Sequence, residues 1–234
     1  MARIVLVPGI IGAEGLWSRV VGQLARDHEV RAICLPQQGA SLHELASKIE
    51  RDISWAEFHL VGFSLGGLVA RALAESNPQR VQGLVMLGSL PERASLPLGI
   101  RLSSQFIRWL PQGSFGGVYR SKLGWSLKKE GLGKNDIQQL CALLPSKELY
   151  LQRLDMIAAW GLQSRIMVPA LLLKGEGKGS ASWSIQQARD ILPNVEVRGI
   201  PGGHYSLWTH AEATAQCIGE FVQRNTRQSM VRES

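Results

Sequence analysis

The pentapeptide Gly62-Phe63-Ser64-Leu65-Gly66 constrains this chain more than any other feature. It stands where an apolar run, Phe58-His59-Leu60-Val61, passes into a helical one, Gly67 to Ala74. A Gly-x-Ser-x-Gly at a strand-to-helix junction makes a turn so sharp that the serine takes strained backbone angles. Larger side chains two residues either side would collide with it. The Ser64 hydroxyl therefore stands clear of the sheet edge, and the amide of Leu65 opens a helix whose N-terminus favours negative charge. A glycine-rich turn of this kind can also serve packing alone, so partners for Ser64 must be sought elsewhere in the chain.

The surrounding pattern alternates strands with helices. Arg3–Val7 reads as a central strand closed by Pro8-Gly9, and a helix fits Glu14 to Arg26 with Trp17, Val20, Val21 and Leu24 on one face. Glu29–Leu35 is the next strand. Ser41 with Glu44 forms a capping box ahead of a helix carrying Leu42, Leu45, Ile49 and Ile53. Strands follow at Glu57–Val61, Val81–Leu87, Ala170–Lys174 and Val195–Ile200, with a helix near Ser184–Leu192 before the last of them. Thr209 and Glu212 make a second capping box for a final helix running toward Val222, with a frayed tail after Arg224. This rhythm predicts an α/β fold with a mostly parallel central sheet flanked by helices. It breaks between Ser89 and Arg165, where prolines and glycines separate short helices, the clearest at Gln138–Leu144 and Lys147–Trp160. A core of residues 1–88 and 166–234, with a lid insertion at 89–165 over the C-terminal strand edge, is the expected organisation.

Charge and cysteine usage narrow the classes. Arg93 to Lys147 holds nine cations against Glu130 and Asp136, a net +7 that equals the formal charge of the whole chain. Such a one-signed stretch is either a solvated face or a surface for an acidic partner or substrate. No nucleic-acid-binding module accompanies it, so nucleic acid is not expected. Cys34, Cys141 and Cys217 suit neither a disulfide framework nor a zinc site and read as buried free thiols. No signal-peptide pattern and no membrane-length apolar run is visible, so a cytoplasmic protein off the membrane is expected.

A serine nucleophile needs a base, and His204 has the fitting context. It follows the last strand in Pro201-Gly202-Gly203-His204, where glycines let the backbone fold a ring back toward Ser64. His28, His43 and His210 read as exposed, and His59 as packed within a strand. An oxyanion hole needs two converging amides. Leu65 supplies one by position, and Ile10 in the turn Pro8–Gly12 is the candidate for the other.

Val7-Pro8-Gly9-Ile10-Ile11, Leu16-Trp17, the Ser64 turn, Asn77–Val81, Val168–Leu172 with Gly175-Glu176, and Gly203-His204 together resemble the lid-bearing esterases of the α/β-hydrolase superfamily. The resemblance spans residues 3 to 222. Within it, the segment from Gly62 to Ala70 is similar to small bacterial carboxylesterases that include the pimeloyl-[acyl-carrier protein] methyl ester esterases of biotin synthesis. It implies a small acyl ester as substrate, no metal or organic cofactor, and an acidic acyl-carrier protein as partner for the basic lid.

The resemblance also marks a gap. The family's triad aspartate, counted onto this chain, falls at Lys178, and the alternative position near Gly88 is bare as well. Glu176, two residues away on a glycine-rich loop, is the candidate acid; Glu92 and the absence of any acid stay open. The expected chemistry is acyl transfer through Ser64, with Trp17, Phe106, Trp109 and Phe115, beside Leu96 and Leu98, as candidates for an apolar substrate pocket. The same residues serve a thioesterase or acyltransferase equally. A binding protein that kept the fold and lost efficient catalysis is the reading from another class.

Overall fold

The computed structural model describes residues 1–89, 105–161, 164–177 and 185–232. Glu92, Leu96, Leu98 and Lys178 lie outside them. Six strands form one sheet: β1 (Arg3–Val7), β2 (Glu29–Ala32), β3 (Phe58–Phe63), β4 (Val81–Leu87), β5 (Ala170–Gly175) and β6 (Val195–Ile200). Their order is β2-β1-β3-β4-β5-β6, with every neighbouring pair parallel. The register carries Leu6 beside Val61, Val61 beside Val85, and Val85 beside Leu171.

Parallel strands need covering on both faces, and their apolar runs supply residues for both. Val5, Val7, Leu60 and Met86 face one layer, built with α2 (Leu42–Asp52) and α3 (Leu65–Ser76). Ile4, Leu6, Val61 and Phe63 face the other, with α1 (Ser18–Leu24) and the final helix α10 (Ala211–Arg232). All of Leu65 to Ala74 is buried, so the helix that begins at the serine turn is a central element. Because the strands are parallel, their C-terminal ends share one edge. Pro8, Ser64, Gly88, Glu176 and Pro201 all follow those ends.

Between β4 and β5 come α4 (residues 105–109), α5 (Gln112–Lys129), α6 (Lys134–Ala142) and α7 (Lys147–Ala159). The long α5 runs through Gly113, Gly116 and Gly117, which the sequence pattern assigns to loops. Ile107, Phe115, Tyr150 and Leu154 form a cluster of their own beneath it, and that packing outweighs the low helix propensity of glycine. After β5 come α8 (Ile185–Ile191), β6 and the short α9 (Ser206–Thr209).

Several local expectations change. The first helix opens as a 3-10 turn at Glu14–Trp17, and β2 stops at Ala32. Ser41 caps α2 by accepting from the Glu44 amide at 3.2 Å, but Glu44 itself accepts from Ala40. Thr209 closes α9 instead of capping α10. α10 runs on to Arg232, past the expected fraying point, and Thr226 on that extension meets His59 Nε2 at 2.9 Å. His28 is buried, whereas Cys34 is exposed and Cys217 half-buried. Among the described residues, no helix is long and apolar enough to cross a membrane.

Candidate active site

Ser64 joins β3 to α3 at φ 53° and ψ −120°. Among the described residues it is the one non-glycine with positive φ. A shape of this kind costs about 1–3 kcal/mol and survives only where neighbours enforce it. Here the Ser64 amide donates to the Leu87 carbonyl at 2.9 Å. Its carbonyl accepts from the Gly67 amide at 3.0 Å and from the Ser89 hydroxyl at 2.7 Å. A Cβ on Gly62 would strike the Gly66 carbonyl, and one on Gly66 would strike the carbonyls of Val7 and Pro8. The second approach sets the first turn of α3 against the end of β1. Leu65 and Ile10 therefore stand on adjoining turns.

His204 lies in the turn between β6 and α9. Its ring packs on Phe63, the residue before Ser64, with centroids 4.8 Å apart, and edge-on to Tyr205 at 5.4 Å. A Cβ on Gly88, the residue after β4, would stand 3.1 Å from His204 Nδ1. So the imidazole reaches from β6 across to the ends of β3 and β4. Burial pushes it down to about 4, and no charged or hydrogen-bonding partner among the described residues pulls it back.

The expected acid is placed elsewhere. Glu176 is exposed, and its carboxylate lies along β6 in the space left by the missing side chain of Gly199. Its amide donates to the Ile200 carbonyl at 3.0 Å, which carries the β5–β6 register on into the loop. Of the pocket candidates, Trp17 has no exposed surface and belongs to the core beneath α1 and α10, where the pattern of Leu16, Val20 and Leu24 places it. Phe106 and Trp109 are exposed at 59% and 87%, out in solvent. Phe115 is buried against Tyr119 and Tyr150. None of the four presents an enclosed apolar wall as expected: one is core, one is packed within the insertion and two are surface.

Two unexpected side chains reach the site from the insertion. Arg153 on α7 is 2% exposed and donates through Nη1 to the Ile10 carbonyl at 2.9 Å and the Ile11 carbonyl at 3.0 Å. Glu130, just after α5, accepts from the Tyr205 amide at 2.8 Å. Arg153 was detectable in principle, since it shares a helical stripe with Tyr150, Leu154 and Ile157 where an apolar residue is due. Glu130 left no such signal beyond being an anion in a basic stretch. Among the described residues, no three His, Cys, Asp or Glu side chains gather as a metal site.

The sequence profile of the alpha/beta hydrolase family matches residues 4–217. The chain belongs to that family. It is similar to the pimeloyl-[acyl-carrier protein] methyl ester esterase of Aeromonas hydrophila, 37% identical over 93 residues, which is 36% of this chain and 35% of that protein. The same-named esterase of Nitrosomonas europaea is 32% identical over 110 residues, 43% of this chain and 44% of that protein. The chain thus matches well under two thirds of the length of these relatives. Among solved structures, the enol-lactonase from Burkholderia xenovorans LB400 superposes with a TM-score of 0.76 at 18% identity, covering 95% of this chain and 91% of that one. A likeness at that identity speaks for the fold alone.

Proposed function

We propose that this chain is a serine hydrolase that cleaves carboxylic esters through an acyl-enzyme. The observation that carries the reading is the enforced positive φ of Ser64 together with the His204 imidazole packed on Phe63, the residue before it. In the first step His204 takes the Ser64 proton as Oγ attacks the ester carbonyl, and the carbonyl electron pair moves onto oxygen. The amides of Leu65 and Ile10 receive that oxyanion. The tetrahedral adduct collapses with loss of the alcohol, which leaves with the proton from His204. Water, deprotonated by the same ring, then attacks the acyl-serine, and the carboxylic acid departs as Oγ regains its proton. Burial keeps the His204 ring unprotonated at neutral pH while weakening it as a base. Among the described residues no carboxylate faces the ring, and Glu92 lies outside them.

The 89–165 segment serves as the lid. An acyl chain borne by an acidic carrier protein is the proposed substrate, supported by the basic surface of the insertion and by relatives named for esters of that kind. The test is a hydrolysis profile on p-nitrophenyl esters from acetate to octanoate for wild type, Ser64→Ala, His204→Ala and Glu176→Ala. The first two substitutions should remove turnover, and Glu176→Ala should leave it within about threefold of wild type. A fall with Glu176→Ala as deep as with Ser64→Ala would restore Glu176 as the triad acid.

A further inference from the structure

We propose that the insertion carries two positioning residues for this reaction: Arg153, which sets the Ile10–Ile11 turn, and Glu130, which sets the His204 turn. The inference rests on the Ser64–His204 reading given above.

Arg153 is a buried cation without a carboxylate partner among the described residues. Its Nη1 serves the carbonyls of Ile10 and Ile11, Nη2 approaches the Leu35 carbonyl at 3.5 Å, and Nε has no partner. Keeping a charge there is costly, and an apolar side chain of the same length would fill the space more cheaply. The geometry states what the charge does. In a trans peptide the carbonyl and the following N–H lie antiparallel in one plane. Holding the Ile10 and Ile11 carbonyls therefore fixes the two peptide planes that follow the Ile10 amide, and with them the turn that bears it. The plane of the Ile10 amide itself is set by the Gly9 carbonyl, which accepts from the Gly12 amide at 2.9 Å. Gly12, at φ 78°, leaves the guanidinium its room, since a Cβ there would overlap it.

Glu130 acts on the opposite side of the site. Its Oε2 accepts from the Tyr205 amide at 2.8 Å, and the His204 amide also bears on it. A Cβ on Gly203 would come within 2.7 Å of the same oxygen, so the turn folds closely round the carboxylate. The charge-assisted bond to the Tyr205 amide holds the backbone next to the residue from which the imidazole projects. An anion grips an amide and a cation grips carbonyls, each on one of the two turns the reaction needs. Both come from one insertion, so its seating sets base and oxyanion turn together. The segment is part of the catalytic scaffold as well as its cover.

The experiment measures kcat and KM on p-nitrophenyl butyrate, with thermal melting of each variant, for Arg153→Met, Arg153→Lys, Glu130→Ala and Glu130→Gln beside wild type and Ser64→Ala. Misplaced transition-state groups should lower kcat about 10- to 100-fold in Arg153→Met while KM stays within about twofold. Arg153→Lys, able to reach one carbonyl but not to fork, should recover part of that loss. Glu130→Ala should lose about 10-fold in kcat, and Glu130→Gln, which keeps an acceptor oxygen, should recover most of it. If Arg153→Met does not fold, Arg153→Lys carries the test with the same direction of change in kcat. Folded Arg153→Lys and Glu130→Ala proteins with wild-type kcat would overturn the proposal, as would losses confined to KM. Turnover in wild type that Ser64→Ala does not remove would overturn the underlying serine reading itself.

Discussion

Ser64 holds a backbone shape that its own residue type disfavours, and three hydrogen bonds with two bare glycines keep it there. Gly66→Ala should therefore reach beyond its single methyl group. The added carbon meets the Val7 and Pro8 carbonyls, so a stability loss of about 1–3 kcal/mol in urea unfolding is expected, with loss of ester turnover. Unchanged stability and turnover would mean that the two turns are not in contact. The imidazole offers a second check. His204 must be neutral to act, and burial holds it at about 4 against an ordinary 6.5. kcat/KM should then be level from pH 8 down to pH 5 and fall with a midpoint near 4. A midpoint at 6.5 or above would point to a carboxylate facing the ring. At this scale the sequence is informative where chemistry forces a local pattern, as at Ser64 and the glycines before His204. It is silent where a side chain has a choice of direction. Glu176 is two residues from the family position yet turns along β6, and Trp17, Phe106 and Trp109 are all large and apolar with quite different surroundings.

At the scale of elements, hydrophobic runs located β1, β3, β4 and β5, the alternating edge strands β2 and β6 were legible too, and β1, β4 and β6 have the limits read from sequence. Buried parallel strands leave a strong signal because both faces need apolar residues. Helix ends are weaker. α10 continues past Arg224 because Thr226 finds a partner in β3, a contact 167 residues away in sequence. Thr226→Val should cost about 1–3 kcal/mol, since it takes a partner from a ring nitrogen of buried His59. A denaturation midpoint unchanged by that substitution would argue against the contact. His59 also sets an acid limit. Burial first, and the nearby His28 second, lower its pKa to about 4. The unfolded chain takes up this proton near 6.5 while the folded one does so only near 4, so stability is intact above 6.5 and falls as pH drops between the two. The loss on reaching pH 4 is roughly 3 kcal/mol from this residue. It is measured by urea unfolding of His204→Ala across that range, since His204 carries an equal shift that would add its own loss in wild type.

For the whole molecule, the parallel sheet brings Ser64, Gly88, Glu176 and His204 to one edge, and the insertion meets that edge through Arg153 and Glu130. The fold class was legible because a strand–helix alternation over the chain admits few arrangements. The inner architecture of the insertion was not, since its helices are short of periodic signal and α5 holds three glycines in its first half. Arg120, Lys122, Lys128, Lys129 and Lys134 on α5 and α6 are exposed. Capture of an acyl chain on an acidic carrier protein should therefore slow about 10-fold or more between 50 mM and 500 mM salt, while a neutral p-nitrophenyl ester is unaffected. Equal salt dependence for the two substrates would remove the carrier from the account.

The most direct measurement is the intact mass of the chain after incubation with a fluorophosphonate, for wild type and Ser64→Ala. A nucleophilic serine displaces fluoride and keeps the phosphonyl group, so wild type should gain the mass of one phosphonyl group at Ser64 and the variant none. Folded wild type that stays unlabelled, or labelling that survives Ser64→Ala, would contradict the assignment of Ser64 as the nucleophile.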